Sequence, residues 1–161
     1  MSVQHPARFL VLCGLAFATV VNRLPADESV PASSDKDTER IVGVWRVISI
    51  EIDGQPTPRD DARKLSIVNE PNGIWTLKSE DQTDIICRGT STFQMGATPR
   101  QIDFRATAGS LEGMTFHGIY ELDQNSRKLC FTSTELPRPT DFTSFPGTKR
   151  YLLELERVTT P

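Results

Sequence analysis

The sequence predicts an all-β fold, a single antiparallel barrel of eight strands with one short helix after the first strand. Three observations predict it. Stretches between Gly43 and Arg157 alternate apolar and polar residues with a period of two, and they are rich in β-branched and aromatic side chains. Clusters of Gly, Pro, Asn and Asp separate them at short, regular spacing. Short strands in that number favour a barrel or a sandwich, and closure removes the edges that an open sheet would expose.

Residues 43–53 (GVWRVISIEID) open the series and end in the turn signal Asp53-Gly54. Strict alternation puts Trp45, Val47, Ser49 and Glu51 on the inner face, and Val44, Arg46, Ile48, Ile50 and Ile52 on the other. Both faces are partly apolar, which suits a strand covered on two sides. Thr57-Pro58-Arg59-Asp60 resembles a capping box and predicts a helix over residues 58–63. Residues 64–68 and 74–78 flank Glu70-Pro71-Asn72-Gly73 as a hairpin, with Leu65, Ile67, Trp75 and Leu77 inward. Residues 84–93 turn Ile85, Cys87, Gly89, Ser91 and Phe93 to one side, and residues 101–106 bring Ile102, Phe104 and Ala106 to meet them. In residues 114–122 the inner set is Met114, Phe116, Gly118, Tyr120 and Leu122, and in residues 128–132 it is Leu129 and Phe131. The last strand, residues 149–157, turns Lys149, Tyr151, Leu153, Leu155 and Arg157 inward.

Ahead of the barrel, Arg8 precedes the uncharged run 9–21 (FLVLCGLAFATVV), short of the roughly 20 residues that span a bilayer. Residues 1–26 therefore read as a secretory signal, with candidate cleavage after Ala18, Ala26 or Ala32, and the alternative is an uncleaved membrane anchor. Leu12 before Cys13 argues against a lipoprotein signal. Residues 27–39 have almost nothing apolar to bury and read as a disordered linker, which leaves residues 40–158 as the one folded domain. The expected location is exported, with no membrane span after signal removal. Loss of residues 1–26 takes Arg8 and Arg23 and no acid, so 18 basic residues become 16 against 21 acidic, a net charge of −5. An acidic domain does not suit nucleic acid, which asks for a basic face.

Cys87 falls on the inner set and Cys130 on the outer set of a non-adjacent strand, so the two are expected to stay unpaired. No nucleophile, phosphate-cradling or metal-ligand spacing stands out: His117 lies outward without a partner at ligand spacing. The expectation is therefore no enzyme, no catalytic residue, no metal and no cofactor.

Gly43-Val44-Trp45-Arg46-Val47 with Glu51-Ile52-Asp53-Gly54, then Gly118-Ile119-Tyr120-Glu121-Leu122, Lys128-Leu129-Cys130-Phe131 and Arg138-Pro139-Thr140-Asp141-Phe142, resemble the planctomycetal lipocalin-like domain family across residues 40–157. The resemblance implies a lipocalin-like (calycin-like) barrel and an exported location. The family is functionally uncharacterised and supplies no site residues. The wider lipocalin group implies a small apolar or amphipathic ligand inside the barrel, although fold does not fix function.

Four candidate features and one rival surface follow. Trp45 and Arg157, inward at the start of the first strand and the end of the last, are expected to stack and close the barrel end. Glu51 is expected to point inward and pair with Lys149, or to orient a ligand. Tyr120 supplies an inward hydroxyl, and Glu51, Lys149, Tyr120, Arg138 and Phe142 are together the candidate ligand-binding residues. In the long loop 135–148, Arg138 is expected to pair with Asp141 while Phe142 and Phe145 cover the mouth, either plugging the core or gating a pocket. The rival to a ligand-binding container is an envelope interaction module with a filled barrel, docking through Val44, Ile48, Ile50 and Ile52.

Overall fold

In a computed structural model of the chain, residues 33–79, 84–94 and 96–159 are described. The expected signal segment lies outside them, as do residues 27–32 of the expected linker. Among the described residues no helix is long and apolar enough to cross a membrane.

Helix α1 (Ser33–Arg40) leads into strand β1 (Gly43–Ile52). A two-residue strand β2 (Gln55–Pro56) and helix α2 (Arg59–Ala62) follow, then β3 (Ser66–Asn69), β4 (Ile74–Lys78), β5 (Ile85–Gln94), β6 (Gln101–Gly109), β7 (Thr115–Leu122), β8 (Ser126–Ser133) and β9 (Tyr151–Arg157). From β3 to β9 each strand pairs antiparallel with the next, and β1 pairs with both β3 and β9. The eight long strands therefore form a closed barrel, and β2 only extends the far half of β1. Asp53 and Gly54 sit at φ 50° and 76°, the left-handed pair that a two-residue hairpin requires.

The inner faces of β6, β7 and β9 carry the residues that alternation assigns within those strands, but Met114 lies ahead of β7 and is exposed, and in β5 Ile85 is exposed beyond a register shift against β4, so the inner set there begins at Cys87. The face of β1 does not. A β-bulge between Val47 and Ser49, set against Leu155 and Glu154 of β9, inserts one residue and reverses the parity beyond it. Ile50 consequently joins the core, and Glu51 turns to the outer face between Pro56 and Leu152. The same shift breaks up the docking stripe of the interaction-module reading, because Ile50 is buried inside and Ile48 sits at the bulge.

Three further expectations change. Residues 33–39 are not a linker: α1 closes one end of the barrel, where the buried carboxylate of Asp37 accepts a 2.9 Å hydrogen bond from the Tyr120 hydroxyl and faces Arg100 at 3.3 Å. Thr57 does not cap α2, whose N-cap is Pro58 with no side-chain hydrogen bond. The loop 135–148 neither plugs the core nor covers the mouth. It crosses the outer face of β6, β7 and β8, where the Leu136 carbonyl accepts from His117 Nε2 at 2.6 Å, and the Thr143 carbonyl accepts from the Cys130 thiol at 3.7 Å.

That covering explains why Ile119 and Cys130 are fully buried although they point away from the barrel interior. Cys87 is buried on the inner face, and both cysteines are free. Burial raises both thiols, Cys130 to about 11. A thiolate is the reactive form, and an unfolded cysteine ionises near about 8.5. Above that ordinary value Cys87 and Cys130 should resist iodoacetamide in the folded chain and take up label in the denatured one. Rapid labelling of Cys87 or Cys130 in the folded protein at pH 9 would contradict this burial.

Candidate functional site

The closed end is built as its residues predict. Trp45 is completely buried and donates from Nε1 to the Ile41 carbonyl at 2.7 Å, while the Arg157 guanidinium lies 4.2 Å from the indole centroid. Arg157 also donates to the carbonyls of Val42 at 2.8 Å and Gln124 at 2.9 Å, and to that of Arg40. One guanidinium thus ties the entry to β1, the β7–β8 turn and the end of β9 together. Gly43, at φ 123°, leaves room for it, since a Cβ there would stand 3.0 Å from Arg157 Nη1.

The remaining candidates do not form one site: Tyr120 and Phe142 both line a groove outside the closed end, and the others lie elsewhere. Glu51 and Lys149 form no pair: Glu51 is on the outer face, and Lys149 is an exposed residue at φ 52° just before β9, its backbone N–H donating to Asp53 at 2.7 Å. Tyr120 points inward as expected, but its hydroxyl is engaged by Asp37, and burial followed by that hydrogen bond holds the phenol well above its ordinary range. Arg138 binds Asp103 at 2.7 Å and the carbonyls of Gly118 and Ile102 at 2.8 and 3.2 Å, rather than Asp141. Asp141 pairs with Arg150 at 3.0 Å instead. Phe142 lies on the outer surface near Lys128, and Phe145 is exposed beside the β1–β2 turn.

Arg138 is therefore a clasp that holds the loop on the barrel wall. Arg138→Ala should destabilise by about 1.5–3 kcal/mol, the range for hydrogen bonds made by a charged group. It should also open Cys130 to iodoacetamide while Cys87 stays protected, which peptide mapping reads directly. Equal protection of Cys130 in the variant would show that the loop holds without it.

The residue that alternation could have supplied and that went unremarked is Arg127. Stepping back two places from Leu129 along β8 puts it on the inner face, opposite Leu122 and Leu155. It is 3% exposed, and its Nε and Nη1 have no hydrogen-bond partner. Burial lowers it to about 10, the nearby Tyr120 opposing, so it remains a cation at neutral pH. Among the described residues no carboxylate lies within ion-pair distance of it.

Arg127 lines an internal cavity of about 100 Å³. Its walls are apolar: Trp75 from β4, Cys87 from β5, Phe104 from β6, Phe116 from β7, Phe131 and Leu129 from β8, and Leu153 from β9, with Leu111 of the β6–β7 turn at the rim. The rings meet edge to face, Trp75 with Phe104 at 6.2 Å and Phe104 with Phe131 at 5.6 Å between centroids. Gly89 makes the position of Trp75 available, because a Cβ on it would come within 2.6 Å of the indole and 2.1 Å of the Arg105 carbonyl oxygen. A groove of about 710 Å³ outside the closed end is larger, but its central polar groups, Asp37, Arg100 and Tyr120, already bind one another. The smaller cavity is the better candidate for an apolar molecule because its wall is apolar. Among the described residues no group of three or more His, Cys, Asp or Glu is placed to hold a metal.

No family model matches the chain, so the planctomycetal resemblance rests on its motifs, and no curated protein matches either. Among solved structures, a DUF4847 family protein from Bacteroides vulgatus ATCC 8482 is similar with a TM-score of 0.43 and 14% sequence identity, over 74% of this chain and 95% of that one.

Proposed function

We propose that this is an exported, lipocalin-like container that binds one small apolar or amphipathic molecule inside the barrel, and that it is not an enzyme. The observation that carries the reading is the 100 Å³ cavity, walled by aromatic and aliphatic side chains inside a closed barrel. At roughly 30 Å³ per water that space equals about three waters, and apolar walls hold water poorly. An eight-stranded barrel is wide enough for its own side chains or for one small ligand, and here the side chains leave room. The planctomycetal resemblance supports the export half of the reading.

The two tryptophans provide the test. Trp45 donates its indole N–H to Ile41, whereas the Trp75 ring lines the cavity and its N–H is buried without a partner. Titration with 1-pentanol, followed by 1H–15N correlation spectra of the folded protein, is expected to shift the Trp75 indole resonance saturably and leave that of Trp45 in place. A spectrum in which neither moves, or both move linearly, removes the container reading.

A further inference from the structure

The strands of the barrel end at two surfaces. Gly43, Leu122, Ser126 and Arg157 lie at the closed end beside α1, whereas Ile52, Lys78, Ile85, Gly109, Thr115 and Tyr151 lie at the other. Among the described residues, the large hydrophobic side chains left exposed are Ile52, Ile85, Met114 and Phe145. All four belong to this second end, Phe145 through its contact with the β1–β2 turn at Gly54. Single exposed apolar residues are ordinary on a protein surface, but their confinement to one end of a barrel asks for a cause.

From both sides of that end apolar contacts lead inward. Ile52 stands across from Tyr151, whose ring stacks on Phe131 at 5.0 Å, and Phe131 walls the cavity. On the other side the Met114 N–H donates to the carbonyl of Leu111 at 3.0 Å, and Ile85 precedes Cys87 on β5; Leu111 and Cys87 also wall the cavity. In the closed order of eight strands β1 and β6 stand opposite each other, so these residues form a rim around the mouth and not a strip along one wall. We propose that this rim seats on the surface of a zwitterionic lipid bilayer, with the mouth against the hydrocarbon boundary. A planar apolar layer meets opposite sides of a mouth at once. Tyr151, half-buried beside Ile52, has the apolar ring and polar tip that suit such a boundary. The rim carries charges of both signs, Lys78 and Lys149 with Asp84 and Glu112, which complement a zwitterionic headgroup layer rather than an anionic one. An apolar molecule then passes between bilayer and cavity without crossing water, a step that rests on the container reading.

The experiment is co-sedimentation of the folded protein with phosphatidylcholine vesicles. Wild type is expected to sediment with them, and the double variant Met114→Ser, Phe145→Ser should lower the partition constant by about tenfold. Both positions are exposed, so the variant should fold, which the Trp45 and Trp75 indole resonances verify. Adding phosphatidylglycerol should change the constant by less than about twofold. Binding that requires phosphatidylglycerol, binding that survives the double variant, or no binding to either vesicle overturns the proposal. A vesicle-free dimer that the same variant abolishes assigns the rim to a second copy of the chain and overturns it as well. The 1-pentanol titration reports on the cavity alone. Its failure beside intact vesicle binding removes the container and leaves the docking rim, and the reverse result removes the docking only.

Discussion

Trp45→Ala is expected to destabilise the protein by about 3–5 kcal/mol, the range for deleting a buried tryptophan. The indole is completely buried, its N–H bond to Ile41 holds the junction between α1 and β1, and its face supports Arg157. Collapse around the hole is hindered because Val47, Leu155 and Ile102 beside it are anchored in the closed ladder. Arg157→Ala should cost less, since the guanidinium is only partly buried. A thermodynamic cycle on urea denaturation should then return a coupling of about 0.5–2 kcal/mol between the two. Strict additivity would mean that Arg157 acts through its three carbonyl bonds and not through the ring.

Arg127→Met is expected to do the opposite and stabilise the unliganded protein by about 1–4 kcal/mol, as replacement of buried charged groups by well-packed apolar ones does elsewhere. In wild type the guanidinium gives up water and recovers too few hydrogen bonds, a cost that methionine would not carry. The variant side chain can lie against Leu129, Leu153 and Leu155. A melting temperature lower in Arg127→Met than in wild type would assign the arginine a structural role instead.

What the sequence made legible is whatever depends on uninterrupted period two. The order of strands, the turns at Asp53-Gly54 and Glu70-Pro71-Asn72-Gly73, the inner sets of β6, β7 and β9 and the Trp45–Arg157 closure all follow from local pattern. Glu51 was misplaced because a bulge leaves no mark in the alternation of GVWRVISIEID, where both faces are apolar and either register looks satisfied. Arg127 was missed for the converse reason: a charged residue at a strand start reads as turn, and only the ladder to Leu122 and Leu155 shows that the strand has already begun. The loop 135–148 offered aromatic and charged residues without a period, and its docking against Gly118, Asp103 and Cys130 is a tertiary event. Residues 33–39 look polar along the chain, and their helix is fixed to the barrel by one carboxylate reaching a tyrosine 83 residues away.

The pairing of β1 with β9 also sets the order in which this chain can mature. The strand that leaves the ribosome first has its full-length neighbour in the last one, so its ladder from Trp45 to Ile52 stays unpaired on that side until Tyr151–Arg157 has been made. Joining such distant segments is slow, and an unpaired apolar edge invites association with other chains in the interval. Chains that lack their final residues should therefore accumulate as open, aggregation-prone sheets, and quality control of this protein would act on its carboxyl-terminal strand.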